Sequence, residues 1–149
     1  MRVSYDEFIR AFLAKIQEYE FLHLPEPDRD AVVLGYMKRA AAKFAEVCVY
    51  DIANGDNLSR EYTFEGATDM EVDEIVDIVS DGMVVQWLRS YLYRQDNLEI
   101  LLNTVDFTSY SPAELLKQVR TVYADARTNF INIVNEYSYR HGDLTDLHL

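Results

Sequence analysis

The residue types that most often bind metals or act as nucleophiles are few in this chain and lie far apart. There is one cysteine, Cys48, and there are three histidines, His23, His141 and His148, no two of which are three or four residues apart. Ligand pairs at that spacing share one helical face, and the chain also lacks the two Glu-x-x-His motifs of di-iron bundles. We therefore expect no metal site and no cofactor, and we interpret Cys48 as a small buried residue.

Motifs built on glycine or on carboxylates also fail to define a catalytic centre. Residues 51–57, DIANGDN, resemble the start of a calcium loop, but Gly55 is at its fifth position and Tyr62 occupies the twelfth, where a glutamate ligand belongs. The five glycines form no phosphate-binding loop, dinucleotide fingerprint or nucleophile elbow. Because no motif joins the many acids to a base or nucleophile, we predict that the protein is not an enzyme.

One acidic feature has regular spacing. Residues 61–81 carry eight Asp or Glu and no Lys or Arg, and the aspartates recur every four residues at Asp69, Asp73, Asp77 and Asp81. That spacing predicts an anionic stripe on one helical face, where each like-charge pair costs a few tenths of a kcal/mol, on the order of 0.2–0.5. The stripe is either a solvated face or a surface that meets a basic partner or repels a polyanion.

Basic residues lie elsewhere in the chain, and six of the fourteen fall in the C-terminal half. Among them Arg89, Arg94, Arg120 and Arg127 are candidate contacts between subunits. A subunit that is acidic on one side and basic on the other permits head-to-tail assembly, the geometry that closes rings.

Length and composition indicate a single folded domain. The chain has 149 residues, 49% of them apolar and 13% aromatic, which is enough to form a real core. A net charge of −12 argues against a protein that binds nucleic acid by neutralising its phosphates. We expect no signal peptide and no membrane span, because no run of about 18 apolar residues occurs. A single thiol is typical of a protein made in a reducing cytoplasm.

The elements that must position these residues are mainly helices. Three S/T-x-x-E capping boxes, which begin at Ser4, Thr68 and Ser111, each precede an apolar run of helical period. We predict helices over residues 6–21, 28–49 and 69–93, a bend in the third near Gly82, a short helical piece over 98–103, and a last helix that begins after Ser111. The fold class is therefore all-α, a bundle of about four helices.

Residues 50–67 form the irregular insertion in this bundle. Asn54–Gly55 is a strong turn signal, and Tyr62 and Phe64 alternate in a way that fits one face of a short strand. Sequence leaves a small hairpin and a long loop as equal alternatives.

The last helix should be the longest. Its apolar residues recur at a near-heptad spacing, which predicts packing along roughly 45 Å, and Gly142 is placed to end it. The seam consists of Leu115, Val119, Val122, Ala126, Phe130, Ile133 and Tyr137. We thus divide the chain into a helical domain, residues 1–142, and a C-terminal arm, residues 143–149. The apolar and flanking residues of the arm are candidates for binding a partner: Asp143, Leu144, Leu147, His148 and Leu149.

The C-terminal half, from about residue 72 onward, resembles the head-to-tail adaptor proteins of tailed bacteriophages, which are also called connector, neck or head-completion proteins. The resemblance is carried by residues 81–83, 87–88, 91, 106–116 and 137–144. It implies a structural protein of the virion, located at the head–tail junction and present in the cytoplasm of the bacterial host during assembly.

The resemblance also implies partners. Adaptors of this kind form a ring, commonly of twelve copies, that binds the portal protein and offers a docking surface to the next neck or tail component. Such a ring extends the channel through which DNA passes without specific binding, and an anionic stripe suits a channel wall. The alternative is an acidic helical binding module that masks a basic protein partner.

Overall fold

A computed structural model describes residues 1–22, 24, 30–93 and 112–141, and in this part the protein is an all-α bundle with one small two-stranded sheet. In chain order the elements are β1 (Arg2–Ser4), α1 (Tyr5–Ile16) with a 3-10 extension (Gln17–Leu22), α2 (Asp30–Phe44), β2 (Glu61–Thr63), α3 (Asp69–Tyr93) and α4 (Pro112–His141). No helix in these ranges is long and apolar enough to cross a membrane.

Helix α1 begins at the predicted cap and packs one apolar face inward. Ser4 is the N-cap, but its hydroxyl accepts from the amide of Asp6 at 3.2 Å rather than from that of Glu7. Phe8 and Phe12 are fully buried. The predicted helix over 6–21 changes to 3-10 geometry after Ile16, so the segment continues to Leu22 in a tighter form.

The small sheet joins the start of the chain to the insertion over residues 50–67. Strand β2 lies antiparallel to β1, with Val3 opposite Tyr62, and the side chains of Tyr62 and Phe64 are buried. The insertion over residues 50–67 therefore does contain a strand. Its main partner is the start of the chain and not a neighbouring strand of a local hairpin.

The turn in this insertion lies later than predicted. The Asp56 carboxylate accepts from the amides of Leu58 and Ser59, at 2.9 and 3.3 Å, and Arg60 adopts a positive φ of 57°. The prediction of a turn at Asn54–Gly55 was therefore wrong. Gly55 instead lies so close to an aromatic side chain that a Cβ there would be 2.1 Å from Tyr5 Oη.

Helix α2 is shorter than the predicted 28–49. It runs from Asp30 to Phe44, and a turn over residues 45–47 follows. The small residues Ala40 and Ala41 are buried, and Ala40 lies against Gly82 of the next helix.

Helix α3, whose predicted bounds are confirmed, is the central helix of the bundle. It packs against α1, α2 and α4. Its second half is buried on most sides, and the polar residue Ser80 near its middle is also buried. The helix continues through Gly82, where a Cβ would lie 2.7 Å from the Cβ of Ala40 and 2.9 Å from the ring of Phe130. Gly82 therefore lets α2 and α4 approach α3 closely.

Helix α4 has 30 residues and spans about 45 Å. Its predicted seam faces the bundle: Leu115, Val119, Phe130 and Tyr137 are buried, while Val122, Ala126 and Ile133 are half-buried. The opposite side is exposed along the helix. The predicted cap Ser111, the helical piece over 98–103, Gly142 and the arm over 143–149 lie outside the described residues.

Candidate interaction surfaces

In the described ranges, no group of three or more His, Cys, Asp or Glu side chains is placed to hold a metal ion. Cys48 is half-buried beside the Tyr137 hydroxyl, with 3.9 Å between Sγ and the hydroxyl oxygen. Burial raises the pKa of the Cys48 thiol, which keeps it protonated and unreactive at neutral pH. The charged side chains form the candidate interaction surfaces.

The predicted acidic stripe is divided in two by a lysine from another helix. Lys15, in the last turn of α1, places its ammonium 2.6 Å from the carboxylate of Asp77 and 2.8 Å from that of Asp81. The same ammonium also donates to the backbone carbonyl of Asp77 at 2.9 Å. Half of the stripe is thus used to hold α1 against α3.

Burial dominates the electrostatics of this ion-pair cluster. The Asp81 side chain is 24% exposed and that of Lys15 is 23% exposed. Burial raises the pKa of the Asp81 carboxyl, the ammonium of Lys15 counteracts this, and the negative charges of Asp77 and Glu18 add to the rise. Lys15 is therefore the group that makes an ionised Asp81 tolerable at this position.

The other half of the stripe is free of such contacts. Asp69 and Asp73 are exposed and make no ion pair with any described residue, and the same holds for Glu65 just before α3. We call these three carboxylates the acidic end. Met70 lies among them with 83% of its surface exposed, which is unusual for a large apolar side chain.

The first turn of α3 is fixed by a complete capping box. The Thr68 hydroxyl accepts from the amide of Glu71 at 3.2 Å, and the Glu71 carboxylate accepts from the amide of Thr68 at 3.3 Å. The Tyr50 hydroxyl donates to the same carboxylate, and this bond, together with those from Thr68, lowers the pKa of Glu71. The acidic end is thus presented on a well-anchored helix terminus.

The C-terminal turn of α4 is tied to the start of α3 and the end of α2. Arg140 forms an ion pair with Glu74, and the Tyr137 hydroxyl accepts from the amide of Val49 at 3.3 Å. The ring of Tyr137 contacts the ring of Phe44, with 4.8 Å between centroids. These contacts fix the position from which the chain continues beyond His141.

The predicted basic contact residues are only partly described. Arg120 and Arg127 are exposed on α4, and Arg89 is exposed near the end of α3 and makes contacts of its own. Arg94 lies outside the described residues, as do Asp143, Leu144, Leu147, His148 and Leu149 of the proposed arm.

A larger set of cations emerges when α2 is included. In the described part of the chain, the Lys and Arg side chains of β1, α1, the turn before β2 and the end of α4 form ion pairs, and Arg89 also has a partner. Among the described residues, the cations without an ion pair lie on α2 and α4 and are exposed. We call them the basic face: Lys38, Arg39, Lys43, Lys117, Arg120 and Arg127.

Sequence reasoning missed two of these features for different reasons. Lys15 and Asp77 are 62 positions apart, so nothing local indicates that they meet. The α2 cations were visible in the sequence, but their place beside α4 depends on how both helices cross α3 at Gly82.

Searches of protein-family models, of curated proteins and of solved structures for relatives of this chain gave no match.

Proposed function

We propose that this protein is a structural component of a phage virion, a head-to-tail adaptor that forms a ring between the portal and the tail or next neck component. The proposal starts from the resemblance of the C-terminal half to such adaptors. The observation that supports it best is α4, a 30-residue helix that packs on the bundle along one side and leaves its other side exposed along its length. A long exposed helical side is suited to contacts between subunits.

The segregation of charge supports the same proposal. The acidic end lies at the start of α3 and the cations of the basic face lie on α2 and α4, beside exposed acids such as Asp125, so one copy has complementary groups to offer to the next. In the proposed ring of about twelve copies, the arm over 143–149 binds the portal or a neighbouring subunit. The acidic end lies toward the DNA channel or toward a partner protein, and the protein needs no cofactor and catalyses no reaction.

The test is the composition of mature particles. We expect quantitative mass spectrometry of purified virions from the source of this sequence to detect this chain in a copy number equal to that of the portal subunit. Electron microscopy of the same particles should place it at the head–tail junction when it carries a label. Absence of the chain from purified virions would refute the adaptor function.

A second candidate is an acidic helical module that masks a basic protein. The observation in its favour is the acidic end, where Glu65, Asp69 and Asp73 are exposed and Met70, next to Asp69 in sequence, is exposed as well. An apolar anchor within a charged rim is typical of protein interfaces. This function predicts a stable complex with a basic host protein in cell extracts and no incorporation into virions, so the same particle analysis separates the two candidates.

A further inference from the structure

We propose that the basic face of one copy binds the acidic end of a second copy. This inference rests on the proposed function and deepens it, because it names the two surfaces through which neighbouring subunits would meet. It also goes beyond the predicted contact residues, because half of the basic face comes from α2.

The distribution of cations carries the first step. In a chain with a net charge of −12 and 14 Lys and Arg, an exposed cation has many potential acidic partners. Within the described ranges, Arg2, Arg10, Lys15, Arg60 and Arg140 have each found one. Among the described residues, the basic face nevertheless keeps six cations without an ion pair, on two helices that both pack on α3. Their partner is therefore to be sought on another molecule.

Helices α2 and α4, which carry these cations, meet where both pack on α3. Ala40 of α2 and Phe130 of α4 both approach Gly82 of α3, and Phe44 of α2 contacts Tyr137 of α4. The two helices therefore touch each other at these side chains, and the cations of both are exposed. Exposed cations without an ion pair attract an anionic partner from a distance of about one Debye length, roughly 8–10 Å.

The acidic end provides the complementary surface. Asp69 lies in the first turn of α3, where the helix dipole alone favours a negative charge, but Asp73 and Glu65 lie outside that turn. All three remain without an ion pair in the described part of the chain. The exposed Met70 adds apolar area that a neighbouring subunit can bury.

A second copy fits this pair of surfaces better than nucleic acid does. A polyanion approaching the basic face would also meet the field of a molecule with 12 excess negative charges, whereas a second copy can orient its two surfaces to alternate. Because the contact joins two different surfaces, each bound subunit leaves one of them open to a further copy. Such a contact propagates into a closed ring or an open filament.

Charge reversal tests the pairing. One variant, K38E/K43E/R127E, changes the sign of the basic face, and a second, E65K/D73K, changes that of the acidic end. By sedimentation velocity at about 0.05 M salt we expect the wild type to self-associate with increasing concentration, and each variant to self-associate at least about tenfold more weakly. An equimolar mixture of the two variants should associate again, because each variant keeps the surface that the other has reversed.

Controls separate a lost interface from a lost fold. The variant R2E/R10E reverses two exposed cations on β1 and α1 and should associate like the wild type. Far-ultraviolet circular dichroism should be unchanged in every variant, since all the altered side chains are exposed. Raising the salt to about 0.5 M should weaken wild-type association.

Three results would overturn the inference. They are a wild type that stays monomeric at millimolar concentration, an oligomer that is indifferent to reversal of the basic face, and a mixture of the two variants that fails to associate. Binding of a 30-base-pair DNA duplex that only the basic-face variant loses would assign this face to nucleic acid and also overturn it. None of these outcomes removes the chain from virions, so the adaptor function is judged separately by particle composition.

Discussion

At the scale of single residues, Lys15 has the clearest energetic role. It is the cation through which α1 is held to two aspartates of α3, and one of these, Asp81, is mostly shielded from water. Removing one partner of a shielded ion pair leaves the other charge without compensation. The importance of Lys15 therefore comes from the environment of Asp81 rather than from the strength of an exposed salt bridge.

Replacing Lys15 with methionine should destabilise the fold. Methionine keeps the length of the side chain and removes its charge, so the free energy of unfolding should fall by about 1–2 kcal/mol at neutral pH. Urea denaturation followed by circular dichroism measures the change. An unchanged midpoint would show that the ion pairs contribute nothing.

The pH dependence identifies the group responsible. Because burial raises the pKa of Asp81 in the folded state, the folded protein binds a proton more tightly than the unfolded chain does, and stability falls as pH rises from about 4 through that raised pKa. Asp81→Asn should remove this decrease of stability with rising pH. We expect Asp81→Asn to be at least as stable as the wild type at pH 7, and the Lys15→Met defect to shrink near pH 3, where Asp81 is neutral in both states.

Gly82 tests the close packing of three helices. Gly82→Ala should lower the free energy of unfolding by about 1–3 kcal/mol, because the new Cβ would overlap Ala40 and Phe130. Gly35→Ala is the matched control, since Gly35 is also in a helix and a Cβ there meets nothing within 4 Å. That control should gain about 0.5–1 kcal/mol from helix propensity. Equal effects of the two substitutions, measured by urea denaturation, would contradict the packing role.

At the scale of elements, α3 departs most from what its sequence indicates. A stripe of aspartates predicts an amphipathic helix with one solvated face, yet its second half is buried on most sides as the centre of the bundle. Its first turns, with Asp69 and Asp73 of the acidic end, are more exposed. The helix is therefore both the main core element and the carrier of a candidate interaction surface.

The capping box of α3 should be measurable on its own. Thr68→Ala removes the hydroxyl that accepts from the amide of Glu71, which should cost about 1 kcal/mol of stability. Thr68→Ser keeps the hydroxyl and should retain most of that stability. Thermal unfolding of both variants provides the measurement, and a Thr68→Ser variant as unstable as Thr68→Ala would exclude the cap as the cause.

Local signals predicted the elements well and their partners poorly. The start of α1, the bounds of α3 and the extent of α4 follow from caps and apolar spacing, which act within a few residues. The pairing of β2 with β1 and of Lys15 with Asp77 joins positions about 60 residues apart. Such contacts depend on the packing of the whole bundle, to which no short motif is sensitive.

At the scale of the whole molecule, the arm over residues 143–149 can be separated from the fold by truncation. A chain that ends at Gly142 should unfold at the same temperature as the full chain, because the buried residues that hold α4 in place lie between Leu115 and Tyr137. If the arm binds the portal, the truncated chain should bind purified portal at least about tenfold more weakly, as measured by calorimetry.

Two outcomes of that truncation would contradict these expectations. A large drop in the unfolding temperature would mean that the arm belongs to the core of its own subunit. Unchanged binding to portal would assign portal contact to another surface of the bundle. A seven-residue substitution of the arm with Gly and Ser is the matched control for chain length.

The pairing of β1 with β2 also has a consequence for the order of folding during synthesis. Strand β1 leaves the ribosome first, but its partner is translated about 60 residues later, which takes about 3–12 seconds at ordinary elongation rates. Until then α1 has neither the sheet beneath its first turn nor the aspartates that bind Lys15. The nascent chain therefore carries an amphipathic helix that has α2 to pack against but lacks α3, its main partner, and this interval is when a chaperone would be most effective.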